Sequence, residues 1–166
     1  MRDLEVLRLR RSVRKFLSKA ISKVELEKMV DAARFAPTAR NVQPWEFVVI
    51  TDKSKLKQLA ALAENARFLD QAAAAIAIYA LDTKYYLEDG SAATCSVLLA
   101  ATALGIGSCW VAGDKKDYCQ AVGVLLNVPV EMKLVSLVAL GYPQEADAFK
   151  EIAKRQLKEV LHWEKF

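Results

Sequence analysis

Three short segments gather most of the side chains in this sequence that could do chemistry. The first is Arg10-Arg11-Ser12-Val13-Arg14-Lys15-Phe16, with three guanidiniums and a hydroxyl. Forked guanidinium donors at a change of backbone direction suit a phosphate, and one arginine could reach past it to a second acceptor. The same residues would equally make a solvated basic helix end that complements the helix dipole. The second is Ala36-Pro37-Thr38-Ala39-Arg40-Asn41-Val42-Gln43-Pro44-Trp45. Its prolines bracket a hydroxyl, a guanidinium and two amides, which can hold donors toward a polar heterocycle at little ordering cost. Alternatively, Thr38 and Asn41 cap turns and Trp45 fills the core. The third, Leu104 to Gly113, has glycines that close a buried helix and permit close backbone approach. Its G-x-G lacks the rest of a dinucleotide fingerprint, which excludes a Rossmann assignment.

What is missing narrows the chemistry. His162 is the only histidine and lies near the C-terminus, so no nucleophile and base can be paired. Cys109 reads as a small packed hydrophobe, and three cysteines without repeated spacing argue against a zinc module, a disulfide scaffold or any other metal site. An anion site without a general base or a metal points to reactivity supplied by an organic cofactor.

Composition sets the bounds. With 166 residues, 54% hydrophobic and 27% charged, the chain suits one globular domain with a core that needs no crosslinks. The net charge is +4, but residues 1–19 hold seven Arg or Lys against two acids, a local +5 that leaves −1 for the rest. Such concentration fits a compact anionic ligand better than a nucleic acid, whose footprint would spread along a face. Arg2, Arg8, Arg10 and Arg11 interrupt Leu4, Leu7 and Leu9, so no export leader is expected and the cytoplasm is the expected location. The apolar stretches Ala72–Leu81 and Ala92–Leu104 fall short of the roughly 18 to 20 residues of a membrane span and read as core.

The elements that must position these segments follow from pattern. Residues 3–11 suit a short helix and Ser12–Leu17 an extended segment. Ser22-Lys23-Val24-Glu25 is a capping box before Leu26, Met29, Val30 and Ala33, a helix that Pro37 stops. Glu46–Thr51 reads as a strand, and Leu56, Leu59, Ala60 and Ala63 return to helical spacing. Ala74–Leu81 reads as a buried strand, Ala92–Leu104 as a buried helix closed by Gly105, and Ser108–Ala112 as another strand. Asp114 is expected to cap a helix running to about Val122, and Lys133–Leu140 is the last strand. Alternating strands and helices with apolar elements on both sides predict a layered α/β or α+β domain over 1–166, with an extension after Pro143.

Together the three segments resemble the flavin-dependent nitroreductase family, as do Leu140-Gly141-Tyr142-Pro143 and Val160-Leu161-His162-Trp163, five motifs in order across nearly the whole chain. The resemblance implies an α+β fold with a mostly antiparallel sheet sandwiched by helices, in an intertwined homodimer with FMN at two interfacial sites. It makes 144–166 a dimer-embracing extension. It places Arg10, Arg11 and Ser12 at the phosphate and ribityl chain and Arg14 at the pyrimidine edge, with Pro37, Thr38 and Asn41 coming from the partner subunit. Arg67 would face the ring, Ala112 and Gly113 would present backbone to it, and Lys154 and Arg155 would complete the phosphate site. No side chain need carry the chemistry.

The implied activity is hydride transfer from NADH or NADPH through flavin N5 to a nitroaromatic, quinone or related small acceptor. A flavin-binding or redox-sensing protein with little turnover is the alternative, and a specialised ring cleavage or dehalogenation is a third reading. Departures from the pattern include Thr38 for Ser, Cys95-Ser96 for Gln-Asn, and no prolines in 144–153, a stretch that could then be helical.

Overall fold

A computed structural model describes residues 4–145 and 148–166. The elements run α1 (Glu5–Leu9), α2 (Lys23–Ala33), β1 (Trp45–Ile50), α3 (Lys53–Leu62), β2 (Ala74–Leu81), α4 (Tyr86–Ala103), β3 (Gly107–Ala112), α5 (Cys119–Leu126) and β4 (Met132–Gly141). Short 3-10 turns occupy Ala39–Asn41, Glu64–Gln71 and Leu157–Glu159.

Local signals account for most of these elements. The Ser22 hydroxyl accepts from the Glu25 amide at 3.2 Å and the Glu25 carboxylate accepts from the Ser22 amide at 2.9 Å, the reciprocal box that starts α2. Gly105, at φ 71°, takes the left-handed turn that ends the α4 segment and leads into β3. Helix α4 starts at Tyr86, earlier than the apolar run at Ala92 implied, with Glu88 and Asp89 in its first turn where the dipole favours acids.

The helix expected to begin at Asp114 lies instead at Cys119–Leu126. Lys115 at φ 60° turns the chain after Asp114, whose carboxylate accepts from the Tyr86 hydroxyl at 2.6 Å, and the helix starts only after this turn. Among the described residues of 144–153 no helix forms. Residue 3, the expected start of α1, lies outside the described residues.

The four strands form one antiparallel sheet in the order β1-β2-β4-β3. In β2 the residues alternate between two cores. Ala75, Ala77 and Tyr79 pack with Leu56 and Leu59 of α3, Leu69 and Val122 of α5. Ile76, Ile78 and Ala80 pack with Leu26 and Met29 of α2 and with Val97 and Ala101 of α4. Period-two alternation with both faces buried produces the helix-sheet-helix sandwich, an α+β arrangement.

The basic segment is strung along the sheet rather than left in solvent. The Val13 amide donates to the Ser108 carbonyl at 2.9 Å, the Leu17 amide to the Tyr142 carbonyl at 2.8 Å, and the Gln144 amide to the Lys15 carbonyl at 3.1 Å. Val13 and Phe16 are buried between them. A side chain at Gly141 would put its first carbon 2.6 Å from Phe16, so the absence of one lets the aromatic ring seat against β4.

Candidate cofactor site

Strand β3 is an edge strand, and its outer edge divides into two parts. Ser12 and Val13 cover the beginning, through the parallel bridge from Ser12 to Ser108. Beyond Ser108 the basic segment makes no further bridge to the strand, and among the described residues no other strand pairs with this edge. Hydrogen-bonded and non-bonded pairs alternate along an antiparallel ladder. Since the Gly113 amide donates to the Val135 carbonyl at 3.1 Å, Ala112 opposite Ser136 falls in a non-bonded pair and its N–H projects outward from the sheet. Trp110, two residues earlier, does the same.

The backbone after the strand is clamped. The Ala112 carbonyl accepts from the Tyr118 hydroxyl, and the Gly113 carbonyl from the Cys119 thiol at 2.8 Å and the Lys116 amide at 3.0 Å. Of the two expected backbone donors, Ala112 therefore has its N–H directed outward, whereas that of Gly113 is spent within the sheet.

Two cavities adjoin at Arg14. One, of about 210 Å³, is lined by Arg11, Ser12, Val13, Arg14, Lys15, Glu145, Ala148 and Lys150. The other, of about 170 Å³, runs along the open edge of β3, with Cys109, Trp110 and Ala112 on one side and Asn65, Ala66, Phe68, Lys116 and Tyr118 around it. The Arg14 guanidinium lies 5.8 Å from the centre of the Phe68 ring, a cation–π contact that holds it between the two spaces. Among the described residues the lining of the first cavity is cationic, with one carboxylate, Glu145, held 3.7 Å from Lys15. The second has aromatic residues and, among the described residues, no carboxylate in its lining. Burial pushes the Cys109 thiol above its ordinary pKa although Arg14, Ser12 and Arg10 pull the other way, so at neutral pH it stands in this cavity as a neutral thiol.

The remaining expected residues fall as follows. Arg11 lines the cationic cavity, and its guanidinium also donates to the Lys150 carbonyl at 3.3 Å. Arg10 is half-buried just after α1. Pro37, Thr38 and Asn41 belong to a loop elsewhere on the chain, where Ala39 and Arg40 line a separate depression together with Asp89. That loop is anchored by Asp89 of α4, which accepts from the Thr38 hydroxyl at 2.8 Å and the Ala39 amide at 3.1 Å. The Thr38 oxygen in turn accepts from the Gln43 amide at 3.1 Å. Arg67 lines a different depression with Glu64 and Asp70, while its neighbours Ala66 and Phe68 line the ring-sized cavity. Lys154 and Arg155 are exposed on the C-terminal segment, and it is Lys150 that borders the cationic cavity.

Sequence reasoning did not single out Asp89, Asn65, Phe68, Lys116, Tyr118 or Lys150. Trp110 was in view only as part of the glycine segment. A buried acid in the first turn of a long helix is the one such residue with a local signal. The others reach the site through folding alone.

Among the described residues no cluster of three or more His, Cys, Asp or Glu could hold a metal, and no helix is long and apolar enough to cross a membrane.

Comparison with known proteins gives consistent matches. Residues 7–87 match the Nitroreductase family, and residues 55–166 match the family described as "Putative TM nitroreductase". A protein of Archaeoglobus fulgidus named "Putative NADH dehydrogenase/NAD(P)H nitroreductase" is 36% identical, over 98% of each chain. An FMN-dependent nitroreductase from Clostridium difficile R20291 superposes with a TM-score of 0.90 at 29% identity, over 98% of this chain and 99% of its own. A Desulfovibrio desulfuricans structure described as a "putative nitroreductase in complex with fmn" gives 0.84 at 26% identity, over 98% and 96%.

Proposed function

The chain belongs to the nitroreductase family, and from that premise we propose that it is an FMN-dependent oxidoreductase drawing electrons from NADH or NADPH and passing them to a quinone, nitroaromatic or related small acceptor. The observation that carries this reading is the junction of the two cavities at Arg14. A cationic cavity bordered by Arg11, Ser12 and Arg14 suits a phosphate, and an aromatic-walled cleft along a free strand edge suits a flat heterocycle.

The residues present fit FMN. Arg11 and Ser12 would supply phosphate donors, with Arg10 near them in sequence. Arg14 would set a positive charge at the pyrimidine edge, and the outward N–H of Ala112 would be free to donate to the ring. Bound FMN would supply an N5 that accepts hydride from the nicotinamide and yields electrons to the acceptor. The protein binds and orients. The Tyr118 and Cys119 bonds to consecutive carbonyls keep the end of β3 from rotating, so the Ala112 donor is preset. Phe68 and Tyr118 give the cleft aromatic surface against which a flat ring could lie. Lys154 and Arg155 retain a proposed role only where assembly brings them to the site.

Two features support a homodimer in which residues 144–166 embrace a second copy of 1–166. The final segment exposes Leu157, Val160, Leu161 and Trp163, the last at 78%, more apolar surface than a small monomer ordinarily leaves open. Strand β1 is the other edge of the sheet, and beside it a cavity of about 710 Å³ combines apolar Ile21, Leu26, Val30 and Val49 with charged Lys23, Glu27, Asp31 and Arg34. The loop of Pro37, Thr38 and Asn41, which lines neither cavity at Arg14 within one chain, would then reach the partner's cofactor.

The absorption spectrum of the purified protein, identification of the flavin it releases, and NAD(P)H consumption with a quinone test this reading. Bound FMN without turnover would favour a flavin-binding or sensing role. No bound flavin and no flavin-dependent turnover would overturn the proposal.

A further inference from the structure

The ring-sized cavity holds a cation besides Arg14. Lys116 lines it, and its backbone is pinned on both sides, the amide donating to the Gly113 carbonyl at 3.0 Å and the carbonyl accepting from the Cys119 amide at 3.0 Å. The residue before it, Lys115, adopts φ 60°, a left-handed turn that separates the two neighbouring lysines. Lys115 pairs with Asp114 at 3.8 Å and stays 86% exposed, while Lys116 borders the cavity. Asp114 is further occupied by the Tyr86 hydroxyl, and Asp117 is exposed. Among the described residues no carboxylate lies within ion-pair distance of the Lys116 amine.

On the reading that FMN occupies this site, we infer that Lys116 is the second cation of the flavin ring and takes the part that sequence resemblance gives to Arg67. Hydride delivery breaks a nicotinamide C–H bond and forms an N–H bond on the ring. It carries two electrons and one proton, so the nicotinamide becomes oxidised and positive and the ring gains one negative charge. A lysine bordering a cavity that has no carboxylate in its lining among the described residues stabilises that charge. Arg67, beside Glu64 and Asp70 in another depression, has carboxylates of its own to face.

The test compares wild type, Lys116→Gln, Lys116→Arg and Arg67→Gln, with two measurements on each: flavin fluorescence during FMN titration of the apoprotein, and a redox titration of the bound flavin. Lys116 is exposed, so its substitution leaves the fold intact, which circular dichroism checks. Lys116→Gln is expected to weaken binding of reduced FMN threefold to tenfold more than that of oxidised FMN, a fall in midpoint potential of about 15 to 30 mV for a two-electron couple. Lys116→Arg restores the potential and Arg67→Gln leaves it unchanged. An unchanged potential in Lys116→Gln, or an equal fall in Arg67→Gln, overturns the assignment of Lys116 while leaving FMN binding in place. A wild-type protein that takes up no FMN overturns the cofactor reading and this assignment together.

Discussion

Val13 and Ser108 are joined by an amide-to-carbonyl hydrogen bond of 2.9 Å, and at the next residue, Arg14, the basic segment enters the space between two cavities. One bond thus sets where the covered edge of β3 ends and where the open edge begins. Arg14 lines both cavities, and Arg11 lines only the cationic one, the side proposed for the phosphate.

That division predicts different effects for the two arginines. A unit charge about 4 Å away at an effective dielectric of about 20 contributes about 4 kcal/mol, of which solvent access should leave roughly 1 to 2 kcal/mol. Arg14→Gln should therefore lower the flavin midpoint potential by roughly 20 to 45 mV. Arg11→Gln should instead weaken FMN binding by roughly 1.5 to 3 kcal/mol, the range for a charged hydrogen bond, with little change in potential. Equal shifts in both variants would show that the ring lies elsewhere.

Gly141→Ala should reach the site without touching it. The added methyl would sit 2.6 Å from Phe16, whose seating fixes the basic segment against β4. Overpacking of this kind costs about 1 to 3 kcal/mol. Both thermal stability and FMN affinity should fall, and Gly141→Ala with normal affinity would uncouple Phe16 from the arginines.

Deleting residues 157–166 should remove dimer and flavin together, since it strips Leu157, Val160, Leu161 and Trp163. Sedimentation and flavin absorbance on the same sample decide this. A truncated monomer that keeps FMN at micromolar protein would separate assembly from binding.

One ring-sized cleft of about 170 Å³ should not hold a nicotinamide and an acceptor in reactive contact at once, so turnover should follow a ping-pong course. Double-reciprocal plots at several acceptor concentrations should be parallel. Intersecting lines would require room for a ternary complex.

The α2 capping box should show in the pH dependence of stability. Hydrogen bonds from the Ser22 hydroxyl and amide, then from the Tyr142 hydroxyl, hold the Glu25 carboxyl below its ordinary pKa. Its folded value being depressed, the stability it contributes is present above the usual carboxylate range and is lost as pH falls through the folded value. The gap in thermal midpoint between wild type and Glu25→Gln should shrink as pH falls from 7 to 3. A constant gap would mean that charge plays no part.

How far the sequence could be read depended on whether a signal was local. The expected limits of β2 coincide with Ala74–Leu81 because both faces of the strand are buried and apolar. Helix α2 was legible from Ser22 and Glu25, and the extended course of Ser12–Leu17 from the break after the short first helix. The turn Glu64–Gln71 was not, because Ala66 departs from helical dihedrals at φ −131° and breaks the periodicity. For the same reason the direction of Arg67 was not available. Asn65, Ala66 and Phe68 share the cleft that Arg67 does not line, and a kinked turn carries no rule for which residue faces in. Lys116 and Tyr118 meet Arg14 only after the chain has crossed the sheet, a juxtaposition no spacing encodes.

The open half of β3 also bears on handling. Outward N–H groups at Trp110 and Ala112 on an uncovered sheet edge form a template that any extended chain can pair with, and proteins ordinarily blunt such edges with charge, bulges or cover. Here the cover over that stretch would be the cofactor, and the cations nearest it, Arg14 and Lys116, are the charges that would discourage strand addition in its absence. Flavin-stripped protein should therefore self-associate on concentration, increasingly so as salt screens those two charges, and added FMN should reverse it.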